Sequence, residues 1–393
     1  MADDTTAVVW DSALLDYDMG DHPLNPVRVE LTMALARELG ILDRPHVRMV
    51  TPEPASDLDL TRVHRPDYLD AVRLAPIDPF FSGWGLNTAD NPVFEGMHDS
   101  SARICGATLA AAKAVWHGTA RRAVNIAGGL HHAMPARAAG FCVYNDPAVA
   151  IAWMLEQGAQ RVAYIDIDVH HGDGVQHAFY NDPRVLTVSL HETPLALFPG
   201  TGFADEIGGP DAEGTAVNIP LPPSTGDAGW LRAFNAVVPS VVRAFAPEII
   251  VSQCGADAHQ LDPLADLQLS VDGQRAAYIA IRALADELCD GRWVATGGGG
   301  YALVEVVPRA WTHLLAVVTG EPLDPATRTP AAWRALAAQR RPGTSVPATM
   351  TDGTPPEVQQ WSPGNTDAID RAVMAARTAV FPLHGLDPHD PRD

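Results

Sequence analysis

The chain has 393 residues, which allows one large α/β unit or two to three smaller domains. Its 27 Lys plus Arg stand against 48 Asp plus Glu, and the resulting net charge of −21 repels phosphate backbones and argues against nucleic acid as a direct partner. A hydrophobic fraction of 47% supports a large core, and the 4 scattered cysteines (Cys105, Cys142, Cys254, Cys289) form no C-x-x-C pair, so neither a disulfide framework nor a cysteine zinc site is suggested.

The acidic start, MADDTTAVVWD, lacks the basic and apolar regions of a signal peptide, and no run approaches the roughly 18 apolar residues of a membrane span. A cytoplasmic protein that enters no membrane is expected. Amphipathic helices are predicted over 26–40 and 100–116. RAVNIA then opens an alternation of β-branched apolar runs and helical patterns. Strands are predicted at 161–169, 184–190, 247–253 and 292–297, with helices at 147–157, 230–245 and 271–288. This order predicts one α/β domain, with a mainly parallel sheet and helices on both faces. Residues 1–320 would form its catalytic body. Residues 321–393 would be a Pro-rich wrap and a C-terminal helix packed on the same body; 322–391 hold 11 of the 33 prolines. We read 321–364 as irregular and 366–380 as a helix capped by Thr366 or Asn365, stopped before Pro382, with Phe381 and Leu383 as docking residues.

The informative residues follow the strands. GGLHHA after RAVNIA carries His131 and His132. The strand 161–169 runs into HHGDG and supplies Asp166, Asp168, His170, His171 and Asp173. CGADAHQLDP carries Asp257, His259 and Asp262, and the last strand ends in GGGGY with Tyr301. Ligands of open parallel sheets bind at the carboxyl ends of the strands. Asp166, Asp168 and His170 recur with the period of an extended chain, and like charges buried together need pairing or a metal. An Asp-x-His pair offers oxygen and nitrogen ligands to Zn²⁺, with Fe²⁺ also accepted, and Asp257 beside small residues is the best third ligand. His131 and His132 suit proton transfer, with Asp166 and Asp173 available to orient them. The glycines before Tyr301 allow a close backbone approach, and its phenol could hydrogen-bond an oxyanion.

In order along the chain, YDMGDHPLNPVR, GGLHHA, GFCVYND, YIDIDVHHGDG, FPGTG, GADAHQLDPL and GGGGY together resemble the histone-deacetylase-like metal-dependent amidohydrolases, which share an arginase/deacetylase-like fold. Within them the chain is most similar to the acetoin-utilisation-type bacterial protein deacetylases. The resemblance runs from residue 17 to 385. It implies zinc bound by Asp168, His170 and Asp257. It implies His132 with Asp173 as general base and acid, His131 with Asp166 as an electrostatic partner, and Tyr301 as oxyanion donor. Gly140, Phe141 and Phe198 would line an acyl-lysine tunnel, Leu264 its mouth and Asp90 its rim. Arg28 would belong to an internal pocket behind the metal. A structural potassium ion would use Asp166, Asp168, His170, Ser189 and Leu190. A second potassium site would use Phe179, Asp182 and Val185, but Thr215 stands where many relatives have Tyr. The implied substrate is an acetylated cytoplasmic protein, with acetyl-CoA synthetase the usual candidate.

Three other readings share these residues. An acetylpolyamine hydrolase would want a carboxylate at the tunnel mouth, where Leu264 is apolar. A binuclear manganese ureohydrolase needs about twice the ligands, and Gly172 sits two after His170, where an aspartate is expected. A binding module that lost activity would not need the complete His, Asp and Tyr set.

Overall fold

The computed structural model describes residues 5–393 apart from positions 79 and 358, so the first four residues of the acidic start lie outside the described residues. Eight parallel strands form one sheet in the order β2-β1-β3-β8-β7-β4-β5-β6. They are β1 (Thr6–Val9), β2 (Val47–Val50), β3 (Arg122–Asn125), β4 (Val162–Asp166), β5 (Val185–Glu192), β6 (Ala216–Leu221), β7 (Ile249–Gln253) and β8 (Trp293–Thr296). Successive strand residues point to opposite faces, and every residue of β3, β4, β7 and β8 is buried. Both faces of the sheet centre are therefore covered, and this is why these strands read as unbroken apolar runs. The edge strand β2, VRMV, is only half buried, so it carried no comparable signal. Strands β1, β2 and β6 were not predicted.

The predicted helices form, Val271–Leu288 with the predicted ends and Val27–Glu38, Met97–Trp116, Asp146–Glu156 and Asp227–Phe245 with shifted ones. A further helix, Val307–Val318, is buried along its whole length and packs against Val27–Glu38. It was not among the predicted helices.

Two expectations about the C-terminal region need correction. The stretch 321–364 is not wholly irregular, because Ala331–Arg340 is a helix. Its Trp333 is buried against Leu31, Leu35, Val304 and Met350, and the indole Nε1 donates to the Leu31 carbonyl at 2.9 Å. The last long helix is Ala368–Val380, and its cap is Asp367, whose carboxylate accepts from the Asp370 N–H, in place of Thr366 or Asn365. Phe381 is buried as expected, whereas Leu383 remains 47% exposed. Arg377 fastens the end of the chain. Its guanidinium stacks on Trp361 and Phe381 and donates to the carbonyls of Ala236, Pro388 and Asp390.

Because Trp333 fills a small, separate cluster, Trp333→Ala should lower the unfolding free energy by about 3–5 kcal/mol. Urea denaturation of the two proteins checks this. A change below about 1 kcal/mol, the range of surface substitutions, would mean that the helix Ala331–Arg340 adds nothing to the folded body.

Candidate active site

The four central strands β3, β8, β7 and β4 are neighbours in the sheet, and each ends in one of the four clusters singled out above. Parallel strands about 4.8 Å apart therefore bring GGLHH, GGGGY, CGADA and DVHHGD to one rim.

The loop after β3 is shaped by a buried carboxylate. Asp146 accepts from the Gly129 and Leu130 N–H groups at 3.0 and 2.8 Å and from the Thr108 hydroxyl at 2.5 Å. Asn145 donates its side-chain amide to the carbonyls of His131 and Ala133, at 3.2 and 3.1 Å. These bonds fix the two histidines. His131 Nδ1 lies 2.7 Å from Asp166 Oδ2, His132 Nδ1 lies 2.7 Å from Asp173 Oδ1, and the two Nε2 atoms face each other at 3.0 Å. With each Nδ1–H given to a carboxylate, two neutral rings would set two acceptors against each other. One added proton resolves this conflict. Burial disfavours charge on His131, but Asp166 and Asp168 outweigh it and push its pKa up to about 9. Burial and the charge of His131 push His132 down to about 4, so His132 is the neutral ring.

After β4 the chain turns so that ligand atoms of Asp168, His170 and Asp257 converge within 4.8 Å of one another, all buried. His170 Nδ1 is 3.1 Å from Asp168 Oδ1 and 3.2 Å from Asp257 Oδ2. Two buried carboxylates repel each other. Burial and the charge of Asp168 push Asp257 up to about 6, while the two carboxylates overcome burial to raise His170 to about 10. Two carboxylate oxygens and one imidazole nitrogen are a donor set for a divalent ion that leaves positions open for water and substrate. These residues therefore fit a bound metal. Among the described residues they are the one such group of three or more, which falls short of a binuclear centre.

The loop after β8 must pass very close to this group. A Cβ on Gly299 would sit 1.9 Å from Asp257 Oδ2, and the Gly299 N–H donates to Asp168 Oδ2 at 2.8 Å. The same Asp168 oxygen accepts from Gln253 Nε2 at 2.6 Å. Arg28 is buried and donates through Nη1 to the carbonyls of Gly298 and Gly300, at 2.9 and 3.0 Å. Beyond this loop, Tyr301 joins Asp90, His132, Gly140, Phe141, His170, Leu197, Phe198 and Leu264 around a cavity of about 210 Å³. The Phe141 ring meets the Tyr301 ring edge-on at 5.5 Å, and Phe198 meets His132 edge-on at 5.0 Å. Burial and the charge of Asp257 hold the Tyr301 phenol well above its ordinary pKa, so it remains a donor.

The positions expected for potassium are also adjacent. Ser189 sits opposite Asp166 in the β4–β5 register, followed by Leu190, and Asp166 Oδ1 accepts from the Asp168 N–H at 3.2 Å. Of the second set, Phe179 ends a helix, Asp182 pairs with Arg184, Val185 opens β5, and the Thr215 hydroxyl is taken by the Ala212 carbonyl at 2.7 Å. His259 lies two residues from Asp257 but pairs with Asp352 at 2.9 Å, away from the metal group. At Gly172 a Cβ would meet Asp166 Oδ2 at 2.2 Å, so an aspartate has no room there. Sequence reasoning missed Gln253, Asn145, Asp146 and Tyr17, whose hydroxyl donates to the Phe141 carbonyl at 2.7 Å. Each acts through backbone groups or a partner distant in sequence. The motifs YDMGDHPLNPVR and GFCVYND contained Tyr17, Asn145 and Asp146 without assigning them a role.

A profile of the histone deacetylase domain matches residues 22–318. The chain belongs to the histone deacetylase family. It is 40% identical over 367 residues to the acetoin utilization protein AcuC of Bacillus subtilis, covering 91% of this chain and 94% of that one. It is also 40% identical over 322 residues to AcuC of Staphylococcus xylosus, covering 81% and 83%. The crystal structure of a histone deacetylase homologue from Aquifex aeolicus superimposes with a TM-score of 0.81 at 29% identity, over 95% of this chain and 99% of that one. A structure of a histone deacetylase homologue complexed with SAHA matches at a TM-score of 0.80 and 28% identity. The fold is thus the deacetylase α/β fold, and the chain is a hydrolase of the AcuC-type deacetylase group.

Gly299→Ala drives a methyl group into the Asp257 carboxylate. It should weaken divalent-metal binding by about 10–100-fold, the scale for disturbing groups that orient ligands. Metal titration of the stripped protein measures this, and affinity equal to the native chain would mean that the glycine does not shape the Asp168, His170 and Asp257 group.

Proposed function

We propose that this deacetylase hydrolyses the acetyl-lysine amide of cytoplasmic proteins, with zinc held by Asp168, His170 and Asp257. The observation that carries this reading is the joint lining of one cavity of about 210 Å³ by His132, His170 and Tyr301, with aromatic walls from Phe141 and Phe198. Such walls suit the aliphatic stem of a neutralised lysine.

When bound, the metal supplies Lewis-acid polarisation of the amide carbonyl and lowers the pKa of a water. The remaining chemistry falls to the chain. His132, held through Nδ1 by Asp173, takes the water proton at Nε2. His131 stays charged beside Asp166 and keeps its neighbour neutral until that moment. As the carbonyl becomes tetrahedral, the Tyr301 hydroxyl donates to the developing oxyanion. His132 then returns the proton to the lysine nitrogen as the C–N bond breaks, leaving acetate and a free amine. Asp90 and Leu264 at the mouth would hold the substrate backbone and shield the tunnel. In the same reading a structural potassium ion is held by Asp166, Asp168, His170, Ser189 and Leu190. Fe²⁺ could replace zinc on these ligands. An acetylated acetyl-CoA synthetase is the candidate substrate.

Three measurements test the reading. Tyr301→Phe should lower kcat by on the order of 10²–10³, the cost of losing one oxyanion donor. Stripping metal with a chelator should abolish turnover of an acetyl-lysine peptide, and Zn²⁺ or Fe²⁺ should restore it. Activity that survives verified metal removal would defeat the mechanism. Turnover of N-acetylputrescine far above that of the peptide would instead identify a small-molecule amidohydrolase.

A further inference from the structure

The four glycines Gly297–Gly300 form the most pliable stretch of backbone near the site, yet they must deliver the Tyr301 hydroxyl to one point. Their tethers can be followed residue by residue. The Gly297 N–H donates to the Asn125 carbonyl at 3.1 Å, and the Gly299 carbonyl accepts from the Ala256 N–H at 2.7 Å. Arg28 holds the carbonyls of Gly298 and Gly300, and Asp168 accepts from the Gly299 N–H. None of these bonds reaches Tyr301 itself. Its backbone N–H donates to Asp262 Oδ2 at 2.8 Å. The other carboxylate oxygen, Oδ1, accepts from the Leu264 N–H at 3.0 Å. Asp262 is only 8% exposed, and it joins the loop after β7 to the loop after β8 across 39 residues of chain. Both of its amide donors belong to residues that line the same cavity, Tyr301 and Leu264.

We infer that Asp262 is a positioning residue, one carboxylate that sets the Tyr301 backbone against the tunnel mouth and so fixes where the phenol points. The inference rests on the reading of Tyr301 as oxyanion donor. The two bonds can be separated chemically. Asp262→Asn keeps an oxygen able to accept from the N–H two residues on, the ordinary Asx turn, so the Leu264 bond survives. Its NH₂ group cannot accept from the Tyr301 N–H, so the long-range bond is lost. Asp262→Ser makes the same separation with a hydroxyl, and serves if the Asn variant does not accumulate folded.

The test compares native enzyme, Asp262→Asn, Tyr301→Phe and the double variant on one acetyl-lysine peptide. A misplacement of the phenol should cost Asp262→Asn about 10-fold or more in kcat, with KM changed by less than about threefold because the Leu264 turn remains. In the Tyr301→Phe background the same substitution should cost less than about twofold, since residues acting as a unit are not additive. Hydrogen exchange of the metal-free chain gives a reading independent of turnover. The Tyr301 amide should exchange faster in Asp262→Asn while the Leu264 amide does not, whereas general loosening would speed both and overturn the inference. It is likewise overturned if Asp262→Asn keeps its kcat, or if its loss multiplies in full with that of Tyr301→Phe. Undiminished turnover of Tyr301→Phe alone would instead sink the reading of Tyr301 beneath it.

Discussion

Two carboxylates, Asp168 and Asp257, lie within 1% exposure at the end of adjacent strands, and their mutual repulsion is the constraint around which the site is built. Buried like charges are tolerated only with compensating donors or a cation. The chain supplies part of the compensation itself. Gln253 and the Gly299 N–H donate to Asp168, the Val169 N–H donates to Asp257 Oδ1, and His170 sits between the two carboxylates. These donors orient the lone pairs that remain, so the same bonds that make the cluster tolerable also aim it at one point. A bound metal ion would complete the balance, and the absence of side chains at Gly255 and Gly299 leaves the space in which the carboxylates can meet. A Cβ at Gly255 would lie 2.2 Å from Asp168 Oδ2.

The chemistry was legible because it arrives in short clusters at strand ends. Asp166, Asp168 and His170 share a period of two, and the HH pair and GGGGY are local words. The residues that orient them are not local. Asp146 serves the N–H groups of residues 17 and 16 positions away, and Gln253 reaches Asp168 across 85. A carboxylate or amide that works by accepting or donating to backbone leaves no pattern in sequence, because any residue can be its partner. His259 illustrates the converse. Its spacing from Asp257 resembles a ligand pair, but Asp352, which lies 93 residues on, claims it.

The same contrast governs the fold. Central strands were readable because burial on both faces demands an apolar run, whereas β2 meets the core with only part of its surface. The helix Ala331–Arg340 hides in a Pro-rich region because its stabilising contact, Trp333 to the Leu31 carbonyl, spans 302 residues. Its own sequence, AAWRALAAQR, is rich in strong helix formers, but ten residues are too few to hold a helix in water without tertiary packing.

Departures from local rules gather around the cavity. Phe141 has φ +69°, in the left-handed region that a bulky side chain rarely adopts, and Gly140 before it has φ +50°. A Cβ at Gly140 would lie 2.4 Å from the His132 ring, so the backbone must pass there bare. Phe141 persists in this conformation because its surroundings over-determine it. Tyr17 binds its carbonyl, His22 meets its ring edge-on at 4.5 Å, and Tyr301 packs against the ring from the loop after β8. The aromatic wall of the cavity is thus placed by strain held from three directions, one of them the Tyr301 ring. The Phe141 wall and the Tyr301 ring are therefore in direct contact. A change that relaxes Phe141 also removes one of the packing contacts on the Tyr301 ring, while the Tyr301 backbone keeps its separate tether to Asp262.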